Sequence, residues 1–179
     1  MATGEQIPQS AQTNAVLTTA EAFLKKSRAG AQWLYWIVGI SIINVVLMQF
    51  DVPLRFSVGL GFTELVYAFG QRIGALFVYI GILIDVLFLA VLTLLGVFAG
   101  RQKVWAFIGG LAIIALDTAL LIGLGAREFM LSIIIHVLAI LGLWNGMRAS
   151  HRYAKQTAEQ MMTQEINPSQ PNASNARPE

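Results

Sequence analysis

The sequence predicts an all-α membrane protein with four transmembrane helices in a bundle, an amphipathic or re-entrant elbow helix on the outer face, and polar, partly disordered tails. Hydrophobic residues make up 56% of the 179-residue chain and charged residues only 12%, about half the roughly 25% typical of soluble proteins. Only six formal charges fall between Ile73 and Met147, and four of them occupy two short breaks. A soluble fold of this size could not cover so much apolar surface.

Composition also limits the chemistry. A soluble enzyme, a disordered chain and a nucleic-acid-binding domain are excluded, and the net charge of +2 indicates no nucleic-acid partner. The chain has no cysteine, so it forms no disulfide and no Cys-ligated zinc site. We expect no cofactor. The lipid bilayer is the expected partner, together with other membrane-protein subunits or a second copy of the chain.

The N-terminal 30 residues are predicted to be a polar tail with one short interfacial helix. Residues 1–15 are expected to be disordered. Thr18 and Glu21 fit a capping box that opens a helix over 18–29. This helix lies at the headgroup level or is a solvated helical leader.

The transmembrane domain is expected over 31–147. Its first span is about 33–50, and Asp51 and Pro53 end it. Trp33, Tyr35 and Trp36 form an aromatic anchor at its entrance. Three longer apolar runs predict the other spans, at 73–99, 104–126 and 129–147.

Residues 54–72 predict the elbow. Phe62, Leu65, Val66 and Phe69 recur with helical spacing, but the stretch is short and includes Glu64. Such a helix is more typical of the interface than of a span. Glu64 and Arg72 are candidates for an outer entrance, although a solvated amphipathic surface explains them equally well.

Charge distribution predicts the orientation. With a cytoplasmic N-terminus and four spans, and with Arg177 left out because it is far from any span, eight basic residues lie inside and three outside, as the positive-inside rule favours. A fifth crossing at the elbow would weaken this bias. Residues 148–179 are then a cytoplasmic helix to about residue 165 followed by a disordered tail. We expect a multi-pass protein of a bacterial inner membrane with both termini cytoplasmic.

Each predicted span carries one strongly polar residue at membrane depth: Asn44, Asp85, Asp117 and His136. All four lie on the outer side of the span centres by roughly 1.5–4 Å at 1.5 Å per residue. Charged groups at this depth are costly and face the bundle interior. We therefore expect a buried polar layer.

Small residues support inward-facing polar groups, because they mark close helix contacts in lipid. The candidate packing glycines share helix faces with the polar residues or form GxxxG pairs: Gly74, Gly81, Gly96, Gly100, Gly110, Gly142 and Gly146. Ser132 lies one turn before His136 and is placed to hydrogen-bond with it.

Two functions from different classes follow. The leading hypothesis is a non-catalytic scaffold or accessory subunit of a membrane complex, in which the polar layer fixes helix packing. The rival is a proton- or cation-coupled transporter, or part of one, that uses Asp85, Asp117 and His136. An intramembrane metal-dependent hydrolase ranks third, because a single membrane-depth histidine and no cysteine make a poor metal site.

Overall fold

The structure, a computed structural model, describes residues 9–49, 61–62, 65, 70, 72–125, 127 and 129–166. This part of the chain contains four long helices: α1 (Gln9–Gln49), α2 (Ala75–Gly100), α3 (Val104–Gly125) and α4 (Met130–Ile166). The prediction of an all-helical chain is confirmed.

Three of the helices in the described ranges are long and apolar enough to cross a membrane: Leu76–Gly100, Val104–Gly125 and Met130–Thr163. Their first residues fall within three positions of the predicted span starts. The prediction that these three segments are helices long and apolar enough to cross a membrane is therefore confirmed for α2, α3 and α4.

Helix α1 is longer than predicted and begins closer to the N-terminus. It runs without a break from Gln9 to Gln49 and joins the expected interfacial helix to the expected first span. Residues 9–15, which were predicted to be disordered, are its first turns, so that prediction is corrected. No proline occurs between Gln9 and Gln49, so nothing in the sequence stops the helix once it has formed.

Helix α4 likewise joins two predicted pieces. The expected last span, 129–147, and the expected cytoplasmic helix after it form one helix that ends at Ile166. The disordered tail predicted beyond it lies outside the described residues, as do residues 1–8.

The four helices pack side by side as neighbours. Helix α1 packs against α2 and α4, and α3 packs against the same two helices. Gly30 of α1 lies against Gly146 of α4, and Phe23 lies under Arg152 with 5.8 Å between its ring centroid and the guanidinium carbon. Residue numbers thus rise along one helix and fall along the other, so α1 and α4 are antiparallel and the start of α1 meets the end of α4.

The core is a set of apolar stripes that face one another. Its fully buried side chains include Leu34, Leu92, Phe107 and Leu143, one from each helix. The outward faces carry large apolar side chains such as Trp36, Leu83 and Leu116. Apolar groups on both the inside and the outside are what a lipid environment requires.

Several predicted packing glycines lie at close helix contacts. A Cβ added to Gly146 would lie 2.8 Å from the Cα atom of Gly30, and one added to Gly110 would lie 2.9 Å from a methyl group of Leu34. A Cβ at Gly142 would overlap the indole of Trp33, and one at Gly96 would lie 3.0 Å from the Tyr35 ring. Gly81 is buried.

Gly74 and Gly100 do not have the predicted packing role. A Cβ at either position would have no neighbour within 4 Å, so neither glycine permits a helix contact. Gly74 instead has φ 139°, a backbone conformation that side chains disfavour. It precedes α2, and its N–H donates to the carbonyl oxygen of Gly70 at 3.0 Å.

The predicted elbow is described at five of its positions, 61, 62, 65, 70 and 72, all of which are helical. Gly70 lies so close to α2 that an added Cβ would be 3.0 Å from the Cα atom of Val78. The rest of this segment, including Glu64, lies outside the described residues. Arg72 is helical and exposed.

Candidate functional site

The four polar residues singled out in the sequence are all buried. The exposed fraction is 2% for Asn44 and His136, and 5% for Asp85 and Asp117. Each lies on the core-facing stripe of its helix. Asp117, for example, follows Phe107, Gly110 and Ile114 along the buried side of α3.

Helix register places these residues within about two helical turns of one another along the bundle. Trp33 packs against Gly142 on the antiparallel helix α4, so Asn44, eleven positions further on, is level with residue 131, next to Ser132. Tyr35 packs against Gly96 of α2, so Asn44 is also level with residue 87, within one turn of Asp85. His136 and Asp117 touch each other directly. The four helices thus contribute polar groups to one layer of the bundle that is about two helical turns deep.

His136 has a hydrogen bond at each ring nitrogen. Its Nδ1 lies 2.7 Å from the carbonyl oxygen of Ser132, and its Nε2 lies 2.9 Å from Oδ2 of Asp117. A carbonyl oxygen can only accept, so Nδ1 carries a proton and donates. The imidazole is therefore fixed in orientation by its own helix and aimed at α3.

Asp117 binds the backbone of the segment that precedes α2. The N–H of Gly61 donates to Oδ2 at 2.9 Å, and the N–H of Phe62 donates to Oδ1 at 2.9 Å. Both residues are helical. Backbone N–H groups left free for an outside acceptor belong to the first turn of a helix, where a negative charge is favourable.

Charge is balanced within the hydrogen-bonded network that Asp117 forms with His136, Gly61 and Phe62. One proton must lie between Nε2 and Oδ2, because two lone pairs cannot form a hydrogen bond. With the proton on either atom, the pair has no net charge. Three segments of the chain are held together by one satisfied polar group inside the bundle.

The hydroxyl groups nearby mostly bind their own helices. Thr118 Oγ1 donates to the carbonyl oxygen of Ile114 at 2.6 Å. Ser132 Oγ lies 3.5 Å from Nδ1 of His136, at the limit of a hydrogen bond. Neither arrangement activates a hydroxyl as a nucleophile, since back-bonding within a helix is a common role of these residues.

Asp85 differs from Asp117 in its surroundings. Its Oδ1 is buried and has no hydrogen-bond partner in the described part of the chain. The same is true of Nδ2 of Asn44 and Oγ of Ser41, which lie on the facing helix α1. Buried polar atoms nearly always have a partner, so each of these requires one.

The described residues contain no group of three or more His, Cys, Asp or Glu side chains that could hold a metal ion. Arg72 is exposed, so it lies outside the polar layer. A hydrolase built on a metal therefore gains no support from these side chains.

Three residues that contribute to the site are not among those predicted from the sequence. The N–H donors of Gly61 and Phe62 have no signature, because every residue except proline carries one. Ser41 had a signal: it precedes Asn44 by three positions and so shares its helix face.

The chain matches no protein-family model, no curated protein and no solved structure at a significant level. Its function must therefore be inferred from the site itself.

Proposed function

We propose that this chain is a non-catalytic scaffold or accessory subunit of a membrane complex, with four membrane crossings and both termini in the cytoplasm. One observation carries this proposal. The polar group of Asp117 and His136 binds the chain's own backbone at Gly61 and Phe62, which is the behaviour of a group that fixes a fold.

The packing of α1 supports a fourth crossing. Its second half lies alongside α2 and α4, both of which are long and apolar enough to span a membrane. It also exposes large apolar side chains, among them Trp36, Ile42 and Ile43. A helix that packs between two spanning helices and presents an apolar outer face is expected to occupy the same depth.

The experiment is isolation of the tagged full chain from its native membrane in a mild detergent, followed by mass measurement of the intact particle. We expect a particle of defined mass that contains the 19.6 kDa chain and a second protein in fixed stoichiometry. The particle should survive exchange between two detergents. A monodisperse particle containing this chain alone would contradict the accessory-subunit proposal.

A second candidate function is proton- or cation-coupled transport, and a different observation favours it. Asp85 is a buried carboxylate whose Oδ1 has no hydrogen-bond partner among the described residues, as expected of a group that takes up and releases an ion. Reconstituted vesicles test it. Transport predicts ion flux that is lost in Asp85→Asn and kept in Glu159→Gln, an exposed carboxylate outside the apolar part of α4.

A further inference from the structure

We propose that Asp85, with Ser41 and Asn44 on the facing helix, binds one monovalent cation, either a proton or Na⁺. This deepens the second candidate function by naming the ion and its ligands. Binding is a separate property from flux, so a bound ion without transport would reject the transporter and keep the site.

The burial of the three side chains is the first argument. Asp85 is 5% exposed, Asn44 2% and Ser41 fully buried. Each has a polar atom with no hydrogen-bond partner in the described chain. Leaving three such atoms unbound at membrane depth is unfavourable. Oδ1 of Asp85 and Oγ of Ser41 have lone pairs that can bind a small cation, whereas Nδ2 of Asn44 is a donor from which the carboxylate can accept a hydrogen bond. One bound cation and one such hydrogen bond remove this cost.

Their placement is the second argument. Helices α1 and α2 are packed neighbours. From the contact of Tyr35 with Gly96, Ser41 is level with residue 90 and Asn44 with residue 87 of α2. Ser41 and Asn44 lie one helical turn apart on the buried face of α1. Asp85 precedes Gly96 by eleven residues, or about three helical turns, so it lies on the face of α2 that meets α1. It is two residues from the level of Asn44 and five residues from the level of Ser41.

Charge balance is the third argument and indicates a cation. The membrane-depth parts of the packed helices, 33–49, 75–100, 104–125 and 130–147, contain five ionisable side chains: Tyr35, Tyr79, Asp85, Asp117 and His136. Only His136 can be positive there, and it is bound to Asp117. Arg72, on the segment that packs against α2, is exposed. Asp85 thus has no fixed positive partner in these described segments, and a mobile positive charge can neutralise it.

The number of charges indicates a monovalent ion. Asp85 supplies one negative charge, and Ser41 and Asn44 supply neutral polar atoms. A divalent ion would leave one excess positive charge in an apolar interior. The described residues also contain no cluster of three acidic or imidazole ligands, which a divalent metal would favour.

Asp117 provides an internal comparison. It has the same 5% exposure as Asp85, but it receives two backbone N–H groups and the imidazole. The chain therefore contains one carboxylate whose charge is satisfied by fixed groups and one whose charge is not.

The test uses the full chain in lipid nanodiscs. Thermal unfolding is followed while Na⁺ replaces choline at constant ionic strength, and infrared spectroscopy measures the protonated-carboxyl band at neutral pH. A ligand that binds only the folded state raises the melting temperature with its concentration. If Na⁺ is the ligand, the wild-type melting temperature rises with Na⁺, and that of Asp85→Asn does not.

If a proton is the ligand, Na⁺ has no effect, and the wild-type infrared spectrum contains a carboxyl band that Asp85→Asn lacks. Glu159→Gln, a matched change at an exposed position, should behave as wild type in both measurements. Wild-type protein with neither Na⁺ dependence nor a band that depends on Asp85 would overturn the proposal.

A second variant covers the case in which Asp85→Asn does not fold. Ser41→Ala removes one neutral ligand and leaves the carboxylate in place. We expect at least a roughly tenfold weaker apparent Na⁺ affinity, which corresponds to loss of one hydrogen-bond-strength contact, or a shifted carboxyl band in the proton case. Wild-type behaviour of Ser41→Ala in both measurements would remove Ser41 from the site and overturn the proposal as stated.

Discussion

Nε2 of His136 lies 2.9 Å from Oδ2 of Asp117, across the contact between two antiparallel helices. Both side chains are nearly inaccessible, and the aspartate also binds the N–H groups of Gly61 and Phe62. One carboxylate therefore ties together α3, α4 and the segment before α2. This relationship makes the two buried aspartates unequal, and stability measurements should detect the difference.

Asp117→Leu should be far more destabilising than Asp85→Leu. The first change leaves the imidazole and two backbone N–H groups without their acceptor, and breaking such a buried pair typically costs about 3–5 kcal/mol. The second removes a carboxylate with an unpartnered oxygen, so its cost should be below about 1.5 kcal/mol. The free energy of unfolding in mixed detergent measures both. Equal losses would show that the hydrogen-bonded network contributes nothing specific.

Gly30→Ala should weaken the contact between α1 and α4. An added Cβ would lie 2.5 Å from the Cα atom of Gly146, and backbone cannot move aside as a side chain can. We expect a loss of about 1–3 kcal/mol from overpacking.

Gly39→Ala is the control for this change, because a Cβ there has no neighbour within 4 Å. It should be neutral or stabilise the helix by about 0.5–1 kcal/mol. The free energies of unfolding of Gly30→Ala and Gly39→Ala, measured under the same conditions, give the comparison. A Gly30 variant as stable as the Gly39 variant would mean that the helices do not approach so closely.

Two buried serines should respond in opposite ways to alanine. Ser150 Oγ donates to the carbonyl oxygen of Gln102 at 3.0 Å and so links α4 to the turn between α2 and α3. Its loss should cost about 1 kcal/mol. Ser27 is also fully buried, but its Oγ has no hydrogen-bond partner in the described chain, so Ser27→Ala should be neutral or stabilising. The melting temperatures of the two variants test this prediction, and that of Ser150→Ala should be the lower one. A lower melting temperature for Ser27→Ala would contradict the hydrogen bonding described for these two serines.

Cysteine labelling tests the orientation, because the chain has no cysteine of its own. Arg127→Cys, in the turn between α3 and α4, should react with a membrane-impermeant thiol reagent added outside intact cells. Lys155→Cys, near the end of α4, should react only after the membrane is opened. Both positions are exposed. Labelling of Lys155→Cys in intact cells would reverse the orientation inferred from the basic residues.

The helices that are long and apolar enough to span a membrane could be predicted because their signal is local. Apolar runs between breaks such as Arg101–Lys103 fixed the limits of α2 and α3 to within about two residues, as expected when length and hydropathy alone decide. The polar residues were predictable for the same reason, since a carboxylate within an apolar run must avoid lipid.

Other features depend on contacts between distant segments. The continuity of α1 is not evident from the sequence, because a change from polar to apolar composition looks like a boundary. Between Lys26 and Trp33 only Gly30 strongly disfavours a helix, and a single glycine does not end it. The division of roles between Asp85 and Asp117 was also not predictable. It depends on where the backbone of Gly61 and Phe62 lies, and backbone groups are the same in every sequence.

The hydrogen bonds between Asp117 and the backbone determine which substitutions the sequence can accept during evolution. At position 62 the aspartate accepts a hydrogen bond only from the backbone N–H group. Nineteen of the twenty standard residues have this donor, and only proline lacks it. Position 61 is less free, since any side chain there would meet Leu121. Distant homologues of this protein should therefore keep an acidic residue at position 117 and a glycine at position 61. The residue at position 62 can change without loss of its backbone hydrogen bond to the acid.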